Sequence, residues 1–293
     1  MSARILRPLR ESDAYEVVAV YRRAHGDARP IDAAEIVSWS RNPEFEPDAL
    51  RVLEVDGRIV GYGDIEIDNG EVALEVAARG HWDVFLEWAE RSARAAGLSR
   101  VRTQTYSTPE LVDAVAARGY RLWRSACTMQ IELGDLPPEV RSRPVGIEAR
   151  GYRDGDADSL RAALDEAFAA DPFFHAATPS HFRELYFGAR GFDPSLWLLA
   201  WDGADLAGFV LSFPEHLGDK ALGWIESIGV RPGWRSRGLG ESLLRSAFCE
   251  LHARGLRTVG LGVDASNETG ALRFYERIGM HVVRRADNWV LDL

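Results

Sequence analysis

The residues best suited to chemistry lie between Trp224 and Gly240, in the order WIESIGVRPGWRSRGLG. An apolar run, Ile225, Ile228 and Val230, is interrupted by Glu226, Ser227 and Gly229 and turns at Arg231-Pro232-Gly233. Arg235, Arg237, Gly238 and Gly240 follow. From Glu241 the apolar spacing is helical, with no breaker before Gly255. The spacing predicts strand, glycine-bearing loop, helix. Glycines admit positive φ and close approach of an anion to the backbone. The first helical N–H groups lack internal partners, and the helix dipole favours negative charge there. R-x-x-G-x-G in this setting reads as a cradle for a diphosphate, with a plain tight turn as the other reading. It is not a P-loop, because Gly240 is followed by Glu241-Ser242 and not by Lys-Ser/Thr. It is not the dinucleotide fingerprint either, because no third glycine stands at the required place.

Glu226 breaks an otherwise apolar strand at even spacing from Ile228 and Val230, so it shares their face up to any bulge. Partial desolvation there raises a carboxyl pKa towards the range of a general base. A structural partner for an arginine is the alternative. His175 and His181 lie in an aromatic stretch and are candidates for substrate contact or for packing.

The run Val230 to Gly240 resembles the acetyl-CoA pyrophosphate loop of the GNAT family of N-acetyltransferases, whose pattern [Q/R]-x-x-G-x-[G/A] is met by Arg235, Gly238 and Gly240. The stretch from Val263 through Asn267, Ala271, Phe274 and Tyr275 to Gly279-Met280 resembles the family's ending. The resemblance implies acetyl-CoA as co-substrate. Its pyrophosphate would take N–H groups from Arg235, Ser236, Arg237, Gly238, Leu239, Gly240 and Glu241. A strand bulge, suited to Gly229, would open a slot in which Ile228 and Val230 pair with the pantetheine amides. The Val230 N–H becomes the oxyanion donor, Glu226 the base and Tyr275 the general acid. Asn267, Ala271 and Phe274 would contact the cofactor. The implied reaction moves an acetyl group to the amine of a small molecule or peptide by direct attack in a ternary complex. A non-catalytic acyl-CoA-binding module is the alternative.

The elements that must position these residues are written twice. Arg10-Glu11-Ser12-Asp13 and Arg153-Asp154-Gly155-Asp156 each precede an apolar helix, with Asp13 and Asp156 as candidate N-caps. Asp56-Gly57 and Asp202-Gly203 each sit between alternating strands, a hairpin signal. Gly97 and Gly255 each end a helix before a strand, as do Gly119 and Gly279. The offset between the copies grows mostly between hairpin and helix-ending glycine, where the second is 12 residues longer, (255 − 97) − (203 − 57). That interval holds the loop in the second copy. In the first only Arg79-Gly80 remains. The expected fold is α/β (α+β): two tandem GNAT folds, each a mixed, mostly antiparallel sheet flanked by helices. The expected divisions are 1–135, a degenerate copy; 136–144, a proline- and charge-rich linker; and 145–293, the catalytic copy. The doubling resembles tandem members of that family such as mycothiol synthase, which implies an active C-terminal copy and a small sugar-like amine as acceptor.

A chain of 293 residues is long enough for two such domains. A net charge of −10 argues against nucleic acid as main partner. No apolar run approaches the roughly 20 residues that span a bilayer, and the first residues lack a signal-peptide core. No membrane partner and a cytoplasmic location are expected, as monomer or homodimer. Cys127 and Cys249 have neither metal-ligand nor disulfide spacing.

Overall fold

The computed structural model describes residues 4–26, 31–41, 48–68, 70–105, 109–135, 138–139, 141–171, 174, 176–188, 191–216, 218–265 and 270–293. It divides into two compact units, Met1–Ala126 with Arg284–Leu293, and Cys127–Val283.

The first unit contains β1 (Arg4–Pro8), α1 (Ala14–His25), α2 (Ala33–Arg41), β2 (Leu50–Val55), β3 (Arg58–Asp68) and β4 (Glu71–Ala78). There follow α3 (Trp82–Ala95), β5 (Arg100–Thr105), α4 (Pro109–Ala117) and the start of β6 (Arg121–Glu132). Four strands form an antiparallel meander, β1 to β4. β4 then pairs in parallel with β5, because α3 carries the chain back over the sheet. The β2–β3 hairpin turns on Asp56 (φ 49°) and Gly57 (φ 77°), the two positive angles of a type I′ turn. Period-two alternation sorts the strands onto two cores. Val52 joins Val17, Val20 and Ile36 of α1 and α2. Leu53 joins Phe85, Leu86 and Ala89 of α3 on the other face.

The second unit repeats the plan with β7 (Ile147–Gly151), α5 (Ala157–Phe168), α6 (Pro179–Phe187), β8 (Trp197–Asp202), β9 (Asp205–Phe213) and β10 (Leu222–Val230). α7 (Leu239–Ala253), β11 (Thr258–Asp264) and α8 (Ala271–Ile278) complete it. β7 to β10 are antiparallel, and β10 pairs in parallel with β11. Trp197, Leu199, Phe209 and Leu211 pack under α5 and α6. Ala200, Val210, Ile225 and Leu261 pack under α7 and α8. Each unit is a mixed, mostly antiparallel sheet flanked by helices.

The units do not follow the divisions expected at residues 135 and 145. β12 (His281–Asp292) pairs with β5, from Asp287 opposite Thr105 to Asp292 opposite Arg100. Trp289 and Leu291 pack into the core under α3. Cys127, Met129 and Ile131 of β6 pack instead with Ile225 and Leu261. The two strands alternate alike, so sequence order could not reveal which core each one fills. The described part of the expected linker is tied to α7: Cys249 Sγ donates to the Pro138 C=O (3.1 Å) and Ser242 Oγ to the Arg141 C=O (3.1 Å).

Asp13 and Asp156 occupy N-cap positions, yet neither side chain caps its helix. Each carboxylate faces backwards. Arg150 donates twice to Asp156 (2.7 and 2.9 Å), and the Arg153 N–H donates at 2.8 Å. Arg7 does the same for Asp13 (2.7 and 3.1 Å), with the Arg10 N–H at 2.8 Å. The buried carboxylate thus locks first strand to first helix in both copies. Arg150 holds the Asp156 carboxyl below the usual carboxylate range. A depressed folded-state pKa contributes stability above the unfolded value, about 3.9, and loses it as pH falls through the folded one. Asp156→Asn is expected to cost about 1–3 kcal/mol at neutral pH, since it leaves a charged donor poorly paired. In urea melts from pH 7 to 3, the gap between wild type and variant should begin to narrow below about pH 4; a gap that stays constant would contradict this.

Candidate active site

The site is built where β10 and β11 part. They pair from Leu222 opposite Thr258 to Ile225 opposite Leu261, and no further. β10 continues to Val230 along β9, and β11 to Asp264. The register with β9 jumps at one place: Ile225 faces Ser212 and Ser227 faces Leu211, so Glu226 is an extra, bulged residue. The bulge therefore falls at Glu226 and not at Gly229. Gly229 is needed for another reason. A Cβ there would stand 2.4 Å from Phe209 Cζ and 3.0 Å from Ala167 Cβ.

The bulge also changes who shares a face. Ile228 and Val230 pack with the core under α7 and α8. Glu226 turns the other way, with Trp224, whose Nε1–H donates to Glu226 Oε2 at 3.1 Å. The expected common face of Glu226, Ile228 and Val230 is lost, because one inserted residue reverses the alternation. Hydrogen-bond alternation then fixes the amides. The Arg231 N–H donates to the Ala207 C=O at 3.0 Å. Counting back along an antiparallel ladder, Gly229 and Ser227 address β9, while Ile228 and Val230 turn their amides towards the side that β11 has left.

The loop after β10 is anchored at several points. Arg231 Nε donates to Glu166 (2.6 Å), and Trp234 Nε1 donates to Asp202 (2.8 Å). Arg235 Nε donates to the Val230 C=O (2.9 Å) and its Nη2 to the Ala167 C=O at the end of α5 (2.8 Å). The Arg235 guanidinium is thus spent on backbone carbonyls. Arg79 repeats the tether in the first unit, donating to the Arg23 C=O at 2.7 Å. Ser236 (φ 61°) and Gly238 (φ 83°) turn the chain into α7, whose N-cap Gly238 gives its first amides no side-chain acceptor. Exposed Arg237 is the loop's remaining cation. Leu239 is buried, and Glu241 is held by Arg245 (3.0 Å) and Arg141. A Cβ on Gly240 would meet Phe274 Cζ and Val230 Cγ2, each at 3.6 Å, so strand end, helix start and α8 converge there. Uncapped amides, a free strand edge and a glycine at their meeting point fit an extended diphosphate-bearing thiol carrier.

Two titratable groups stand by the parted strands. Solvent reaches Glu226, but the surrounding protein desolvates it enough to raise its pKa, against the opposing pull of the Trp224 hydrogen bond. Tyr275 lies buried in the core that Ile228 and Val230 also join, and burial pushes its hydroxyl up to about 12. Ala271 and Phe274 are half-buried on the same helix. Asn267 and His175 lie outside the described residues, as does the His181 side chain. Sequence reasoning missed three neighbours of Glu226. Tyr186 of α6 hydrogen-bonds Ser227, and burial raises its hydroxyl pKa, with the nearby Glu226 charge adding to it. His216 stacks on Trp224. Trp224 itself read as core; only its spacing of two from Glu226 hinted at a shared side.

A hollow of about 810 Å³ lies in the first unit, lined by Glu11, Tyr15, Val37, Trp39 and Arg41 among others. It holds none of the expected site residues. Among the described residues no cluster of three His, Cys, Asp or Glu could hold a metal, and no helix is long and apolar enough to cross a membrane.

Two consequences can be measured by urea unfolding. Arg235→Met should lower stability by about 1–2 kcal/mol, because two charge-assisted bonds are lost at a partly solvated site. Arg237→Met should stay within about 0.5 kcal/mol of wild type. Equal effects would contradict the tether. Gly229→Ala should cost about 1–3 kcal/mol through overpacking against Phe209; a neutral result would show that the Phe209 ring moves freely.

The model of the Acetyltransferase (GNAT) family matches residues 161–280. The mycothiol acetyltransferase of Geodermatophilus obscurus is 32% identical over 280 residues, covering 90% of this chain and 89% of that protein. A GCN5-related N-acetyltransferase from Sphaerobacter thermophilus superposes with a TM-score of 0.80 at 28% identity, over 99% of this chain and 95% of that one. A tandem GNAT protein from the clavulanic acid biosynthesis pathway shares the fold, with a TM-score of 0.71 at 17% identity, over 99% and 98%. With strand, loop and helix arranged as described, the chain belongs to the GNAT family of N-acetyltransferases, whose acetyl donor is acetyl-CoA.

Proposed function

We propose that the second unit transfers the acetyl group of acetyl-CoA directly to the amine of a small molecule, with both substrates bound together. The observation that carries this reading is the parted edge of β10. It offers the amides of Ile228 and Val230 beside Glu226 on one side and Tyr275 on the other. The α7 amides from Leu239 to Glu241, with Arg237, receive the diphosphate. The Val230 N–H stabilises the oxyanion as the amine nitrogen bonds to the carbonyl carbon. The Glu226 carboxylate accepts the ammonium proton. The Tyr275 hydroxyl gives its proton to the sulfur as the C–S bond breaks, and the second proton of the acylated nitrogen restores that hydroxyl. With a pKa of about 12, Tyr275 keeps that proton at neutral pH and serves as a donor, not as a base. Glu226 works only when ionised, so kcat/KM should rise with pH through its raised pKa.

The first unit is the structural copy in this reading. Only three residues, Arg79 to His81, separate β4 from α3, against eight between β10 and α7. The curated relatives are named mycothiol acetyltransferases, which favours a compact polar amine as acceptor.

Release of free thiol from acetyl-CoA, followed with glucosamine, cysteamine, spermidine and amino-acid amides, tests the reading. Tyr275→Phe should lower kcat about 100-fold, the scale of one general acid, and leave the calorimetric Kd for CoA within about twofold. Parallel loss of both would show that Tyr275 only packs. Cofactor binding without turnover of any amine would leave a binding module.

A further inference from the structure

The bulge gives Glu226 a place in the chain but no cross-strand partner to orient it. Its hydrogen-bond partner among the described residues is the Trp224 indole, at 3.1 Å to Oε2. That indole is clamped. Its ring lies against β11, where a Cβ on Gly260 would be 2.9 Å from Cζ3 and one on Gly262 would be 3.9 Å from Cζ2. Glycine at 260 leaves the ring room to lie there, and a side chain at 262 would only touch it. The His216 imidazole stacks on the indole, with centroids 3.5 Å apart and planes 13° from parallel. His216 is itself fixed by two backbone bonds with Asp219, 3.1 and 2.9 Å, across the β9–β10 turn. An indole N–H is a donor only and sits on a rigid bicycle, so a clamped ring aims it in one direction. With Oε2 engaged, Oε1 is the oxygen left to meet an incoming ammonium.

We propose that Trp224, held between His216 and the Gly260–Gly262 backbone, is a positioning residue that orients the Glu226 carboxylate towards the acceptor amine. The proposal rests on Glu226 being the base and adds the device that aims it. A bulged residue on a strand edge can rotate freely, and the hydrogen bond replaces the constraint that the ladder has given up. Among the described residues, the groups placed around Glu226 come from three elements. Tyr186 comes from α6 with its hydroxyl on Ser227, Trp224 and Ser227 lie on the same strand, and His216 sits behind Trp224 from the turn. Trp224 stabilises the carboxylate against desolvation, so its loss should raise the pH at which Glu226 ionises.

The test uses the full chain labelled with ¹³C at glutamate carboxyls, the Glu226 signal being identified by its loss in Glu226→Gln. Trp224→Phe keeps a flat ring over Gly260 and removes the N–H together with part of the bicycle's volume. Its Glu226 titration should move to higher pH, and turnover of the fastest amine of the panel above should fall about tenfold at neutral pH, the scale of one charge-assisted bond. The acetyl-CoA KM should stay within about twofold. In a Glu226→Gln background, Trp224→Phe should add no further loss. An unmoved Glu226 titration in Trp224→Phe overturns the proposal. Should that variant not fold, His216→Ala loosens the clamp from the half-buried turn, and an unmoved titration there overturns it equally. If Glu226→Gln retains wild-type turnover, the base assignment fails and the positioning role with it. If Glu226→Gln is inactive while Trp224→Phe is normal, only the positioning role is lost.

Discussion

Everything at the site depends on β10 and β11 pairing for four residues and then separating. A parallel strand pair normally consumes every edge amide, and an unpaired edge is a liability to be covered or filled. Here the separation begins at Ile225 and Leu261, directly before the bulged Glu226. Sheet continuity on the β9 side is kept by the resumed register from Ser227 to Val230. One strand thus belongs to the sheet on one edge and offers its amides on the other. The anchored loop and α7 extend that row of donors without a break.

The first unit shows which parts of this arrangement are architecture. Its β4 and β5 also separate, after Leu74 opposite Thr103, yet β4 runs along β3 in unbroken register. Separation therefore comes with the fold, while the bulge and the long loop come only with the second copy. The arginine tether to the first helix's end is shared, through Arg79 and Arg235, as is the buried carboxylate lock, through Asp13 and Asp156. Interactions present in both copies serve the shared frame. The first turn of α3 is as uncapped as that of α7; what is confined to the second copy, the bulged Glu226, Gly238 and the eight-residue loop, is free to serve chemistry.

Much of this was legible in the chain because its causes are local. Asp56-Gly57 and the glycines after α3 and α8 report backbone angles that few other residues adopt, so hairpins and helix ends could be placed from sequence. The loop and its helix were legible for the same reason. What could not be read was non-local. The bulge position depends on how β10 meets β9, and an alternation of two fits Glu226 equally well on either side of it. Arg235 carries the charge expected of an anion ligand, but which carbonyls lie within its reach is set by α5. Trp224 and His216 come together only across a turn, and Tyr186 reaches Ser227 only through tertiary packing.

The closing strand of the first unit has a consequence for biosynthesis. Residues 284–293 supply the partner of β5, so that edge stays bare while the ribosome makes the whole of the second unit. During translation the nascent first half holds an unfinished sheet, since its last strand is made only after the residues of the second unit. The unit begun first therefore cannot be completed until after the second has been made.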